Sequence, residues 1–211
     1  MKPKQRFAAL FAALAALSGG CDNPSTPVVL DEDELIFIQA EADAPPLETM
    51  QRSFWAVAGE NREAEIRYVP VPGYGDDEGE ECLTFKVSGN SLLRHPDGRR
   101  VQRGDSVLIT ITVVDPDRFH FDFQPAGLQF DPDHPAELEV DYKWADDDYN
   151  GDGEEDEEDE DFEFGWWRQE NPGEPWRRVG SVRLRDLNEV RADVNGFTGY
   201  ALAGGSRSSR S

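Results

Sequence analysis

Basic and sulfur-bearing side chains are scarce in this 211-residue chain: 21 Lys and Arg stand against 44 Asp and Glu, with two cysteines, two methionines and three histidines. The imbalance gives a formal net charge of −23 at pH 7. A surface so acidic repels phosphate backbones, which argues against nucleic acid as a partner. Cysteine occurs only at positions 21 and 82, so no paired C-x-x-C exists; H-E-x-x-H and G-x-S-x-G are missing as well. The commonest zinc and hydrolase chemistries therefore lack their side chains. The longest apolar run, Phe7–Leu17, has eleven residues, whereas a membrane-crossing helix needs about 20. No stretch beyond it carries a sustained helical period with caps, so the sequence holds little support for a helical domain.

What is present begins with an address. Lys2, Lys4 and Arg6 precede the apolar run, and Leu17-Ser18-Gly19-Gly20 leads into Cys21. A basic start, a short apolar stretch and small residues at the cut make an export signal. With a cysteine directly after the small residues, the segment resembles the lipobox of bacterial lipoproteins, although Leu17 stands one place further from Cys21 than the commonest spacing. The resemblance implies a signal peptide over residues 1–20, lipid on Cys21, and a domain held at a membrane of the cell envelope. The alternative is an ordinary secretory signal with Cys21 free. Asp22 after the cysteine favours inner-membrane retention in some bacteria but does not decide the leaflet. Loss of residues 1–20 removes three positive charges and takes the net charge from −23 to −26. With Cys21 acylated, Cys82 has no disulfide partner, and stability must come from a packed core.

Residues 21–52 are rich in Pro, Asp, Glu and Ala and read as an acidic tether; the apolar island Leu35-Ile36-Phe37-Ile38 is expected to dock on the domain or to supply an edge strand. From Ser53 the pattern changes to period two. Val107, Ile109, Ile111 and Val113 share one face, as do Phe119, Phe121 and Phe123, then Leu138, Val140, Tyr142 and Trp144, then Phe162, Phe164 and Trp166. Val182 with Leu184, and Val190 with Ala192 and Val194, follow the same rule. Turn signals at Pro96-Asp97-Gly98, Asp115-Pro116-Asp117, Asp131-Pro132 and Asn171-Pro172-Gly173 separate the runs. Alternation with one buried and one wetted face belongs to antiparallel sheets. The expected fold is all-β: an antiparallel β-sandwich of about eight to ten strands over residues 53–203, with a short tail at 204–211.

Two segments carry a family resemblance. Pro125-Ala126-Gly127-Leu128-Gln129-Phe130, followed by Pro135-Ala136-Glu137-Leu138-Glu139-Val140, resembles the P-x-G-L-x-F … P-x-x-L-x-I signature of the ZU-five domain, shared by ankyrins, netrin receptors and tight-junction scaffold proteins. Val194-Asn195-Gly196-Phe197-Thr198-Gly199-Tyr200-Ala201-Leu202-Ala203 is similar to the H-F-S-G-Y-A-V ending of such domains. The resemblance implies a β-sandwich that mediates contacts between proteins. Some members cut their own chain within H-F-S; the corresponding Gly196-Phe197-Thr198 offers a hydroxyl but no base, and an unactivated hydroxyl is a weak nucleophile.

The most charged segment is Asp146–Glu163, thirteen carboxylates in eighteen residues between two expected strands. Within it, Asp148, Asn150 and Asp152 fall at positions 1, 3 and 5 of a calcium-type loop, with Gly153 at 6, Asp156 at 9 and Asp159 at 12. Ca²⁺ is therefore the candidate cofactor. Loose condensation of divalent ions, or a plain solvated acidic segment, are the competing explanations. Gly104-Asp105-Ser106-Val107-Leu108 has a superficial likeness to a G-D-S-L esterase block, but no Asp-x-x-His follows it. His120 and Asp122 share a strand face without an evident third metal ligand. Trp55, Trp144, Trp166 and Trp176 read as core or strand-edge packing. Trp167 falls on the outward face beside the acidic loop, where it could stack on a sugar or anchor a protein contact, or be buried in a second layer. The function expected is a non-catalytic, lipid-anchored interaction or structural module of the envelope, with an envelope protein or a glycan as partner. A carbohydrate-binding module is the principal alternative, and a small envelope hydrolase a lesser one.

Overall fold

The computed structural model describes residues 27–73, 78–156 and 162–205. The export signal, Cys21 and Asp159 lie outside the described residues. Fifteen strands are found among the described residues: β1 (Val29–Leu30), β2 (Leu35–Phe37), β3 (Gln51–Val57), β4 (Arg62–Arg67), β5 (Glu81–Val87), β6 (Leu92–Arg94), β7 (Ser106–Asp115) and β8 (His120–Gln124). The remainder are β9 (Gln129–Phe130), β10 (Ala136–Asp141), β11 (Phe164–Gln169), β12 (Trp176–Arg178), β13 (Ser181–Leu184), β14 (Glu189–Val194) and β15 (Gly199–Gly205). The larger sheet runs β1-β12-β11-β15-β8-β7-β3, with β2 also pairing β15; the smaller runs β13-β14-β10-β5-β4. Every strand pair is antiparallel. The all-β antiparallel sandwich expected from the period-two pattern is the fold.

Alternation determines what lies between the sheets. Ile109, Ile111, Phe121, Phe123 and Trp166 from the larger sheet meet Ile66, Leu83, Phe85, Leu138 and Val190 from the smaller, all within one buried cluster. At its centre Phe197 stacks with Phe85, Phe123 and Phe130, with ring centroids 5.6, 5.4 and 5.1 Å away. Trp166 seals another part of the interface by donating its indole N–H to the Val190 carbonyl at 3.1 Å, which satisfies the one polar atom of a ring buried without solvent. The segments Pro125–Val140 and Val194–Ala203 run side by side here. The amide of Phe130 donates to Asn195 O at 3.1 Å and that of Phe197 to Leu128 O at 3.3 Å.

The expected tether folds onto the domain instead of hanging free from residue 27 onward. β1 extends the larger sheet at β12, and β2 pairs Phe37 with Ala203 on β15. Leu35, Trp167, Trp176, Ala201 and Ala203, joined by Leu30 and Phe37, form a second, smaller core on the outer face of the larger sheet. The island at residues 35–38 thus both supplies strand β2 and docks, with Leu35 and Ile38 buried.

Candidate functional site

The sequence left Trp167 either outward, as a binding aromatic, or buried in a second layer, and the structure shows the second. Trp167 is 2% exposed, lies under the β1–β2 segment, and donates its indole N–H to Ala203 O at 2.7 Å. Both faces of β11 are covered, one by the opposing sheet and the other by residues 30–37, so outward parity does not mean solvent. The exposed tryptophan is Trp55, at 58%. It sits on β3, which ends the larger sheet and, among the described residues, pairs only with β7. Register places Phe54 opposite Ile109 and Trp55 opposite Leu108. Ile109 is fully buried and Leu108 is 45% exposed, so Phe54 points inward and Trp55 outward.

Around Trp55 the outward positions of β3 and β7 are uncharged. Gln51, Ser53, Trp55 and Val57 alternate outward on β3, facing Thr112, Thr110, Leu108 and Ser106 on β7. Ser53 and Thr110 hydroxyls lie 2.9 Å apart, and Gln51 Nε2 donates to Thr112 Oγ1 at 3.1 Å. Cross-strand pairs of this kind fix side chains into a ladder. Eight consecutive outward positions without charge are notable in a chain whose residues are 31% charged. Arg52, also on β3, has the inward parity and is exposed at the sheet edge; a charge there discourages edge-to-edge strand pairing.

The outer face of the smaller sheet has the opposite character. Glu139 is buried between Lys86 and Arg191, at 3.3 and 2.7 Å. Arg67 bridges Glu65 and Glu81, at 2.7 and 2.8 Å. Asp141, half-buried beside them, accepts from the Lys143 amide at 2.8 Å; burial pushes its carboxyl up to about 6, with Glu80 and Glu189 adding to the effect. Beneath this layer Cys82 is buried, and loss of solvent pushes its thiol up to about 12. A thiol so placed is inert at neutral pH.

Four of the expected calcium ligands come together in one turn. Asp148 accepts amides from Gly151 and Asp152 on Oδ1, at 2.8 and 3.0 Å, and from Gly153 on Oδ2 at 2.9 Å. Asn150 Oδ1 accepts from the Asp152 amide, and Asp152 Oδ1 from the Glu154 amide, both at 2.9 Å. Asp156 closes the turn by accepting from the Asn150 amide and side chain. The loop is anchored through Tyr149, whose ring packs 5.1 Å from Phe164, while the Arg183 guanidinium lies 3.8 Å over the Phe164 ring. The donor set is all oxygen, as calcium prefers. In this arrangement, however, the oxygens turn toward backbone amides, and among the described residues no three His, Cys, Asp or Glu side chains group around a common metal position.

The remaining sequence candidates are dispersed. His120 packs edge-on to Trp176, ring centroids 5.5 Å apart, and burial lowers its basicity. Asp122 accepts from Gln124 Nε2 at 2.9 Å, so each has a partner elsewhere. Asp105 binds the Gln102 amide at 3.0 Å and His95 Nε2 at 3.4 Å, contacts that hold its carboxyl below the usual range. Neighbouring Ser106 is an outward residue of β7. Thr198 is buried, its hydroxyl 3.4 Å from Gly199 O. No described helix is long and apolar enough to cross a membrane. Compared with protein-family models, with curated proteins and with solved structures, the chain finds no match.

Proposed function

We propose that this chain is a non-catalytic protein of the bacterial envelope, anchored by lipid on Cys21, whose β-sandwich serves as a protein-interaction module. The observation that carries the reading is the uncharged face around Trp55. A large exposed aromatic beside Leu108, fixed on rigid strands and free of charge, loses little on desolvation and contributes much on contact. The rest of the surface, dense in carboxylates, resists non-specific association. The likeness of residues 125–140 and 194–203 to ZU-five domains supports the same class. The lipobox-like residues 17–21 support the anchor. Calcium at Asp148, Asn150, Asp152 and Asp156 belongs to this proposal as an organiser of the acidic loop, on the strength of its all-oxygen donor set.

Crosslinking in intact cells tests it. A photo-reactive side chain at position 108 should capture a defined envelope protein, and Trp55→Ala should abolish the capture without lowering the thermal midpoint. Capture unaffected by Trp55→Ala would refute the assignment of this face. One observation favours a second reading, a carbohydrate-binding module: Ser53, Thr110, Thr112 and Gln51 form a hydroxyl and amide ladder beside the ring of Trp55. Retention on an insoluble neutral polysaccharide, lost with Trp55→Ala, would select it.

A further inference from the structure

At the end of the sandwich where β3 and β5 finish and β7 and β10 begin, a recess of about 440 Å³ opens. It lies opposite the acidic loop, because β10 starts at the recess with Ala136 and reaches that loop only beyond Asp141. Its floor is backbone. The Gly59 amide donates to Gly89 O at 2.7 Å, and a Cβ on Gly89 would lie 2.7 Å from the Gly59 carbonyl carbon. Only glycine at 89 allows so close an approach. Arg103 folds across Gly59, its Cζ 3.4 Å from where a Cβ would be. Arg100, Asn90, Gln102, Asp131 and His134 complete the polar lining.

The electrostatics of this recess run against those of the chain. Its lining holds two guanidinium groups, one imidazole and one carboxylate, in a protein of net charge −23. Neighbouring cations are engaged: Arg99 pairs with Asp97 at 2.7 Å, His95 contacts Asp105 at 3.4 Å, and Arg94 donates to Gly98 O at 3.0 Å. Arg100 and Arg103 form no ion pair among the described residues. Asp131 spends Oδ1 on the Asp133 amide at 2.9 Å, which leaves its second oxygen as an acceptor.

We infer that this recess binds a phosphorylated polyol or sugar. Each guanidinium presents a planar fork of N–H donors that matches phosphate oxygens in pairs, which a single ammonium cannot do. Asp131, Asn90 and Gln102 supply acceptors and donors for hydroxyls, and the volume exceeds that of a bare phosphate ion. The phosphate comes either from a small soluble ester or from a glycerophosphate lipid headgroup. Both present the same chemistry to Arg100 and Arg103.

Amide chemical shifts of the full-length chain in detergent micelles, titrated with glycerol 1-phosphate, test the assignment. Shifts are expected at Gly59, Gly89, Asn90 and Gln102, saturating in the millimolar range or below. Arg100→Gln with Arg103→Gln should weaken binding at least tenfold at unchanged thermal midpoint, and Arg100→Lys with Arg103→Lys should restore part of it. Glycerol alone should bind more weakly than the phosphate ester by a similar factor. Saturation by phosphatidylglycerol in the micelle at lower concentration than by the soluble ester assigns the headgroup as source; the reverse order assigns the soluble ester. No shift at tens of millimolar, or equal shifts in the double Gln variant, would overturn the site. So would a concentration-dependent self-association abolished by that variant, which would make the acidic loop of a second copy the occupant.

Discussion

Asp141→Asn should stabilise the protein at alkaline pH and do nothing in acid. Asp141 ends β10 on the outer face of the smaller sheet, half-buried and close to Glu80 and Glu189. Burial raises its carboxyl from 3.8 to about 6, so the folded state holds a proton that the unfolded chain releases near pH 4. Below the unfolded value both states are protonated and the group costs nothing. As pH rises through the interval up to about 6, the unfolded chain ionises first and stability falls. Above it the folded state carries a poorly solvated charge. One tenfold step in proton affinity is 1.36 kcal/mol, so the full difference is about 3 kcal/mol; screening at a half-open carboxylate reduces it to about 1.5 kcal/mol. Asparagine keeps the acceptor that takes the Lys143 amide at 2.8 Å and removes the charge. Urea denaturation of both proteins at pH 4 and pH 8 isolates the effect, because the other carboxylates cancel in the difference. A gain of about 1.5 kcal/mol at pH 8 that vanishes at pH 4 is expected. Equal midpoints at pH 8 would show that Asp141 is solvated, and the same gain at both values would show that the gain does not come from its charge.

Three further outcomes follow from other parts of the molecule. Trp167→Ala should lower stability by about 3–5 kcal/mol, as loss of a buried aromatic does, and should expose residues 28–37 to proteolysis; unaltered stability with altered ligand binding would return Trp167 to a surface role. Cys82 should resist iodoacetamide at pH 8 in the native protein and react at once in denaturant, whereas rapid native labelling would contradict its burial in the core. Calorimetry with Ca²⁺ should show a stoichiometric heat that disappears in Asp148→Ala combined with Asp152→Ala; heat without stoichiometry would reduce the loop to a counterion cloud.

The sandwich was legible because most of its strands have one wetted face. Val107 to Val113 on β7, and Phe121 and Phe123 on β8, sit in the core as their alternation required. Legibility failed where both faces are covered. On β11, Trp166 and Trp167 are both buried, one between the sheets and one beneath residues 30–37, so parity could not separate core from surface. On β5, Cys82, Leu83, Thr84 and Phe85 are consecutively buried, since ion pairs of Arg67 and Glu139 cover the outer positions. Trp55 was hidden by a different cause. Phe54-Trp55-Ala56-Val57-Ala58 is apolar on both parities, and only register against Ile109 and Leu108 tells which side meets solvent. The recess at Arg100 and Arg103 was not legible at all. Its floor depends on Gly59 and Gly89, thirty residues apart, meeting backbone to backbone.

Charge placement links these features more closely than charge total does. Carboxylates on the smaller sheet are tied into ion pairs with Lys86, Arg67 and Arg191, and Asp146–Asp156 place further ones at one end without an ion pair to a described residue. The β3–β7 face carries no charge on its outward positions, and the opposite end carries the recess with two guanidinium groups that form no ion pair among the described residues. On the proposed reading, an acidic partner would be disfavoured in most orientations by repulsion that extends about 8–10 Å at physiological salt, and admitted where repulsion is absent. Such a surface selects by orientation before any contact forms. It follows that raising salt should loosen this discrimination, increasing weak encounters over the whole surface while leaving a contact centred on Trp55 almost unchanged. An interaction that instead weakened steeply with salt would have to engage a charged part of the surface, the arginine-lined end for an acidic partner or the carboxylates for a basic one, and would move the functional surface away from the sheet face.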